Sequence, residues 1–255
     1  MNKNNYHTHT TRCYHASGKD EEYVKAAIKA GIKELGFSDH TPWHYASSFK
    51  ATMRMPESQL DDYLESIRYL KEKYKDHISI LIGLECEYFE RYMPWLEKTI
   101  KDKKIDYIIL GNHYYETDEL HQYFGSPVNE YYLKAYVDHC IKAIDSGLYS
   151  YIAHPDLVYY DQESKLYQEE MSRLCAYAKE KDMPLEFNLL GFMSGRHYPN
   201  ESFWKIASKY KNKAIIGFDA HTPDSLLRDD IYQQAVKYLS SLDVELIDTI
   251  KTLKK

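Results

Sequence analysis

The feature that most limits what this chain can fold into is Tyr6-His7-Thr8-His9-Thr10, followed at once by Arg12, Cys13 and His15. Side chains alternate along an extended segment, so His7 and His9 project to one side while Thr8 points to the other. Two imidazoles so arranged can grip one divalent ion, although an isolated His-x-His is more often a hydrogen-bonded pair near a chain end. The rest of the sequence changes that balance. His15, His40, Glu85, His113, His154, Asp219 and His221 each fall at or just beyond the end of an expected strand.

The strands follow from apolar runs bounded by turn residues. After the first short one, Lys33 to Ser38 leads into Asp39-His40-Thr41-Pro42, and Ile78 to Ile82 leads through Gly83 to Glu85. Tyr107 to Leu110 stops at Gly111-Asn112-His113, Ser150 to His154 is closed by Pro155, and Leu185 to Leu190 is followed by a loop with Arg196, His197, Tyr198 and Pro199. Ala214 to Phe218 ends in Asp219-Ala220-His221. Helical spacing of apolar residues predicts helices over Asp20–Gly31, Glu57–Lys75, Tyr92–Lys101, Glu130–Gly147, Gln162–Lys181, Ser202–Tyr210, Ser225–Leu239 and Glu245–Lys254. Two long connections, Trp43 to Pro56 and Tyr114 to Pro127, are candidate walls or lids of a site.

Composition narrows the function. A chain of 255 residues can bury one sizeable core, and 1–255 reads as a single domain. The net charge of −6 argues against a partner such as long nucleic acid, whose binders carry basic surfaces. No run is apolar enough to span a membrane and no leader core precedes His7, so a cytoplasmic protein is expected. Cys13, Cys86, Cys140 and Cys175 are scattered and read as buried thiols rather than ligands. Many of the 26 tyrosines lie at helical spacing, where they suit packing better than stacking on a substrate.

Strands alternating with helices make an α/β protein with a mainly parallel sheet, and ligands at six of seven strand ends favour closure into a seven-stranded β/α barrel. Seven imidazoles and two carboxylates exceed the four to six ligands of one ion, so more than one metal is implied. The mixture suits Zn, Mn, Fe or Co rather than Ca or Mg. Three divalent ions less the charges of Glu85 and Asp219 leave about +4, a fit for a phosphate monoester dianion. Clustered metals also generate hydroxide near neutral pH, which makes hydrolysis by a metal-bridging hydroxide the natural use.

These residues, with His7-Thr8-His9, Ser38-Asp39-His40, His154-Pro155-Asp156 and Asp219-Ala220-His221, resemble the PHP superfamily, named for polymerase and histidinol phosphatase, over essentially the whole chain. The resemblance implies a distorted seven-stranded, TIM-like barrel and a trinuclear centre. It would give His7, His9, Glu85 and Asp219 to the first ion, Glu85, His113 and His154 to the second, and His15, His40 and His221 to the third. Size and the stretch from Asn188 to Tyr198-Pro199 look most like the monofunctional histidinol-phosphate phosphatases of histidine biosynthesis, implying L-histidinol phosphate as substrate.

Arg196 is the candidate phosphate clamp, since a guanidinium offers paired donors to phosphate oxygens. His197 is a candidate proton donor to the leaving group, with a metal-bound water the other. Asp39 and Asp156 could orient imidazoles from behind or serve as caps, while His44, His77, His121 and His139 receive no role. The chain departs from its relatives after His154-Pro155-Asp156-Leu157, where Val158, Tyr159 and Tyr160 stand in place of an expected basic residue. That departure leaves room for other substrates: another small phosphorylated metabolite or a nucleotide. A noncatalytic metal-binding accessory domain is the remaining alternative, and the sequence leaves the oligomeric state open.

Overall fold

The computed structural model describes residues 2–253. Apolar runs form two parallel sheets. In the first, β1 (Glu34–His40), β2 (Ser79–Cys86) and β3 (Tyr107–Leu110) lie side by side, with His40 opposite Glu85 and Glu85 opposite Ile109. In the second, β4 (Leu185–Asn188) pairs with β5 (Lys213–Gly217), which pairs on its other side with the short β6 (Glu245–Leu246). Isolated parallel bridges join Asn5 to Leu35, Thr8 to Ala220, Leu110 to Ile152 and Ile152 to Leu185.

Two segments expected as strands are thus reduced to bridges. Around His7 the Asn5 side chain replaces part of the ladder: its Oδ1 accepts from the amides of Phe218 at 2.9 Å and His7 at 3.3 Å, and its Nδ2 donates to Thr8 Oγ1 at 2.8 Å. Around Ile152 the ladder is cut short by His154, whose φ of 31° turns the chain ahead of Pro155.

Helices α1 (Asp20–Lys29), α2 (Leu60–Lys73), α3 (Met93–Lys103), α4 (Glu130–Ser146) and α5 (Lys165–Glu180) fall on their expected segments. The short α6 (Leu189–Met193) takes the end of an expected strand, because the Asn188 side chain caps it by accepting from Gly191 N at 2.9 Å. Beyond it come α7 (Glu201–Lys209) and α8 (Asp229–Ser241). Among the described residues no helix is long and apolar enough to cross a membrane.

Alternation along the strands sorts their side chains into two clusters. Ile108 and Leu110 of β3 join Leu35, Phe37, Ile80, Leu84, Ile152 and Phe187 in the large core. Their neighbours Tyr107 and Ile109 face the other way, onto Tyr6, Tyr151, Ala153 and Ile215. Both faces of the strands are therefore buried, as parallel sheets require.

The helix expected over Glu245–Lys254 is not formed within the described residues; Lys254 lies outside them. Glu245 and Leu246 pair with Lys213 and Ala214, and the chain then runs on irregularly, its amides bonding to Ala214 O from Ile247 at 2.8 Å and to Asp106 O from Leu253 at 2.9 Å. Ile247 and Ile250 pack on the smaller cluster, so edge pairing and burial outweigh the local helical pattern.

Candidate metal centre

The register explains why distant residues meet. Thr8 bridges Ala220, so the residues on either side of each, His7 and His9 on one segment and Asp219 and His221 on the other, are brought to the same place. His40 ends β1 beside Glu85 near the end of β2, and His113 and His154 follow just beyond β3 and Ile152. Asp219 (φ 48°) and His154 (φ 31°) hold a left-handed backbone that costs a side-chain-bearing residue about 1–3 kcal/mol and is concentrated at functional sites.

Glu85 sits at the centre with its two oxygens divided between neighbours. Its Oε2 lies 3.5 Å from His7 Nε2, 3.5 Å from His9 Nε2 and 2.9 Å from His40 Nδ1. Its Oε1 lies 2.9 Å from His154 Nε2 and 3.3 Å from His113 Nε2. Asp219 Oδ1 is 3.4 Å from His7 Nε2, 3.1 Å from His9 Nε2 and 3.3 Å from His221 Nδ1. His15 completes the other side, its ring centre 4.6 Å from that of His221 and 5.5 Å from that of His40. Gly111 makes the centre possible, since a Cβ there would stand 2.2 Å from Glu85 Oε1.

Whether a metal fits can be judged from the polar atoms themselves. His7 Nε2, His9 Nε2, His40 Nδ1, Glu85 Oε2, Asp219 Oδ1 and His221 Nε2 are all buried without a hydrogen-bond partner, a condition that normally costs about 1–3 kcal/mol each. They are not scattered: donor atoms of His7, His9 and Glu85, of His7, His154 and Asp219, and of His9, His40 and His221 each fall within 4.8 Å of one another. Tetrahedral bonds of about 2.0–2.2 Å place ligand atoms roughly 3.3–3.6 Å apart, and five of the eight nitrogen–oxygen separations around Glu85 and Asp219 fall in that range, the other three being shorter at 2.9–3.1 Å. The donor set fits divalent transition-metal ions.

Electrostatics agrees. Burial disfavours ionisation of Glu85 and Asp219, yet the surrounding imidazoles hold both carboxyls well below the usual range. Burial takes His40 down to about 3 despite Glu85, leaving a neutral imidazole of the kind a metal needs. For His7 burial is overcome by Glu186, Asp219 and Glu85, and the imidazole rises well above its ordinary value, so a bound cation would displace a proton there.

Three carboxylates stand behind the imidazoles. Glu186 Oε1 is 2.7 Å from His7 Nδ1, Glu87 Oε1 is 3.0 Å from His113 Nδ1, and Asp39 Oδ1 is 3.4 Å from His9 Nδ1. Each fixes which ring nitrogen faces the centre. Asp39 was legible as an orienter, whereas Asp156 turns elsewhere and accepts from Asn200 N at 2.7 Å. Glu87 and Glu186 were missed, although an acid two residues after Glu85 and another inside the apolar β4 were the available signals.

Glu87 is tied to a fully buried Arg54, which donates from Nη2 to Oε1 at 2.7 Å and from Nη1 to Oε2 at 3.0 Å. Arg54 also reaches Asp118 at 3.0 Å, so both long connections are anchored behind His113. Cys13, expected to be a bystander, comes within ligand spacing of His15 and His221. Burial works against its ionisation, but His15, His221 and His9 draw the thiol down to about 5.

The centre opens into a cavity of about 480 Å³ whose walls include Met53, Tyr114, Tyr123, Leu157, Arg196 and Tyr198. Arg196, the expected clamp, thus lines the same cavity as the imidazoles. His197 is differently engaged: its Nε2 lies 2.6 Å from Leu157 O and its ring stacks on Tyr159. His44 is an exposed partner of Glu57, and His139 stacks on Tyr115, both away from the centre.

Residues 5–189 match the family model described as the PHP domain. The histidinol-phosphatase of Bacillus subtilis is 26% identical over 254 residues, covering 87% of this chain and 94% of that protein. A "Probable histidinol-phosphatase" of Deinococcus radiodurans is 28% identical over 238 residues, covering 85% of each. In three dimensions the chain resembles a histidinol phosphate phosphatase from Lactococcus lactis complexed with zinc, L-histidinol and phosphate, with a TM-score of 0.68 at 20% identity over 99% of both chains. With nearly three quarters of its length inside that family model, the chain belongs to the PHP domain family.

Proposed function

We propose that this protein is a metal-dependent phosphomonoester hydrolase whose substrate is L-histidinol phosphate. The observation that carries the reading is the division of Glu85 between two sets of imidazoles, with the unpartnered ring nitrogens of His7, His9 and His40 facing its equally unpartnered Oε2. His7, His9, Glu85 and Asp219 would hold one divalent transition-metal ion, Glu85, His113 and His154 a second, and His15, His40 and His221 a third, with Zn, Mn, Fe and Co all compatible. Bound ions supply Lewis acidity and hydroxide at neutral pH. The substrate assignment rests on the kinship with histidinol phosphatases, and a cytoplasmic setting goes with that metabolite.

The side chains of this protein do the rest. Glu186, Glu87 and Asp39 fix the imidazole tautomers, Arg196 offers paired N–H groups to the phosphoryl oxygens, and Tyr114, Tyr123, Met53 and Leu157 bound the space left for the leaving group. We read His197 as a brace for Leu157 rather than as a proton donor, because its Nε2 is committed to that carbonyl. We read 1–255 as one domain and the strands as a seven-stranded barrel; the bridges at Asn5, Thr8, Leu110 and Ile152 support closure by linking the two sheets at both edges.

The test is turnover by the zinc-loaded and manganese-loaded protein on histidinol phosphate against a panel of phosphomonoesters. Highest kcat/KM on histidinol phosphate is expected, with loss of activity in His9→Ala. Preference for another monoester would change the substrate, and undiminished turnover in His9→Ala would end the metal reading.

A further inference from the structure

Val158, Tyr159 and Tyr160 follow Leu157, and the cavity has Arg196 as its one basic wall residue among those described, the ligand imidazoles apart. A dianionic phosphoryl group has more oxygens than one guanidinium can satisfy. The structure supplies a neighbour. Arg196 Nη1 donates to the Tyr198 hydroxyl at 2.6 Å, and its guanidinium lies 5.8 Å from the centre of the Tyr198 ring. The ring of Tyr198 in turn stands 5.8 Å from that of His154, and the residue is 2% exposed.

A phenol has one proton to give and can accept as well. Here the acceptor side is used by Arg196, and among the described residues that hydroxyl has no other hydrogen-bond partner. The proton is therefore free for an acceptor in the cavity. A bond received from a cation polarises the O–H and strengthens what it donates, more so where water is excluded.

We propose that Tyr198 is a phosphate-binding residue whose hydroxyl, backed by Arg196, donates to a non-bridging phosphoryl oxygen. The inference rests on the phosphatase reading and deepens it. It also gives the Arg196–Tyr198 pair a division of labour, with the guanidinium fixing the phenol while its remaining N–H groups face the substrate.

The experiment is calorimetric titration of inorganic phosphate into the zinc-loaded full chain, with zinc content verified to be equal in Tyr198→Phe, Arg196→Ala and the double variant. Losing a hydrogen bond to a charged partner should weaken phosphate binding about tenfold in Tyr198→Phe. A further loss is expected when Tyr198→Phe is added to Arg196→Ala. Binding within twofold of wild type in Tyr198→Phe would overturn the proposal. So would a loss that vanishes in the Arg196→Ala background, which would make Tyr198 only a support for the arginine. If wild-type protein with full zinc binds no phosphate, the phosphatase reading itself falls and takes this inference with it.

Discussion

The two ends of the same strands make opposite use of buried polarity. At the C-terminal ends, His7, His9, Glu85 and Asp219 are all but inaccessible, and His7 Nε2, His9 Nε2, Glu85 Oε2 and Asp219 Oδ1 have no hydrogen-bond partners. Toward the other end, Tyr107, Tyr6 and Asn4 are enclosed as well but are satisfied: Tyr107 donates to Tyr6 O at 2.7 Å, Tyr6 donates to Glu34 Oε1 at 2.7 Å, and Asn4 Nδ2 donates to Asp248 O at 2.6 Å. Apolar packing by Ile215, Ile247 and Ile250 completes that end. One end satisfies its own polar atoms, whereas the other leaves them unpaired around Glu85 and Asp219. Unpaired buried polarity is expensive, so its concentration at one end marks the functional face.

That contrast can be broken in graded ways. The largest effect is expected from Glu85→Gln, which removes the shared charge from the metal face: turnover should fall to background while far-UV circular dichroism stays native. Next is Arg54→Met. Breaking a buried ion pair typically costs about 3–5 kcal/mol, and urea denaturation should show a loss of that order together with weaker metal binding through the released Glu87 and His113. At the opposite end, Ile250→Ala should cost less, about 1–2 kcal/mol, because this side chain is only partly buried. Its kcat should be unchanged if the two ends are independent.

The smallest effect concerns pH. Hydrogen bonds from Lys213 and from Lys251 of the C-terminal segment lower the exposed Asp182 carboxyl from 3.8 to about 2. A depressed carboxyl contributes its stability above the unfolded value and loses it as pH falls through the folded one. Asp182→Asn should therefore be slightly less stable than wild type at pH 7, the gap closing between pH 4 and pH 2 in acid-dependent thermal melts.

Much of the metal face was legible because its chemistry is periodic. His-x-His, the acid ending an apolar run and Asp-Ala-His each put donors on one side of extended chain, and the structure gathers six of the seven imidazoles around Glu85 and Asp219, with His15 beside His221 and His40. What escaped depends on contacts between segments far apart. Arg54 looks like a loop arginine until Glu87 and Asp118 enclose it. Asp156 lies two residues from His154 but is spent on Asn200, and His197 sits beside Arg196 yet bonds to Leu157. The apolar spacing of Leu246, Ile250 and Leu253 suits a helix in isolation, but an open edge of β5 and an uncovered cluster were available to it.

The most direct test of a cation-dependent functional face is metal stoichiometry. Protein dialysed against zinc and then against metal-free buffer should retain more than one ion per chain by elemental analysis, up to the three expected, and Glu85→Gln should retain fewer. Less than one ion per chain in the wild type, or equal retention in Glu85→Gln, would contradict a centre built on that carboxylate.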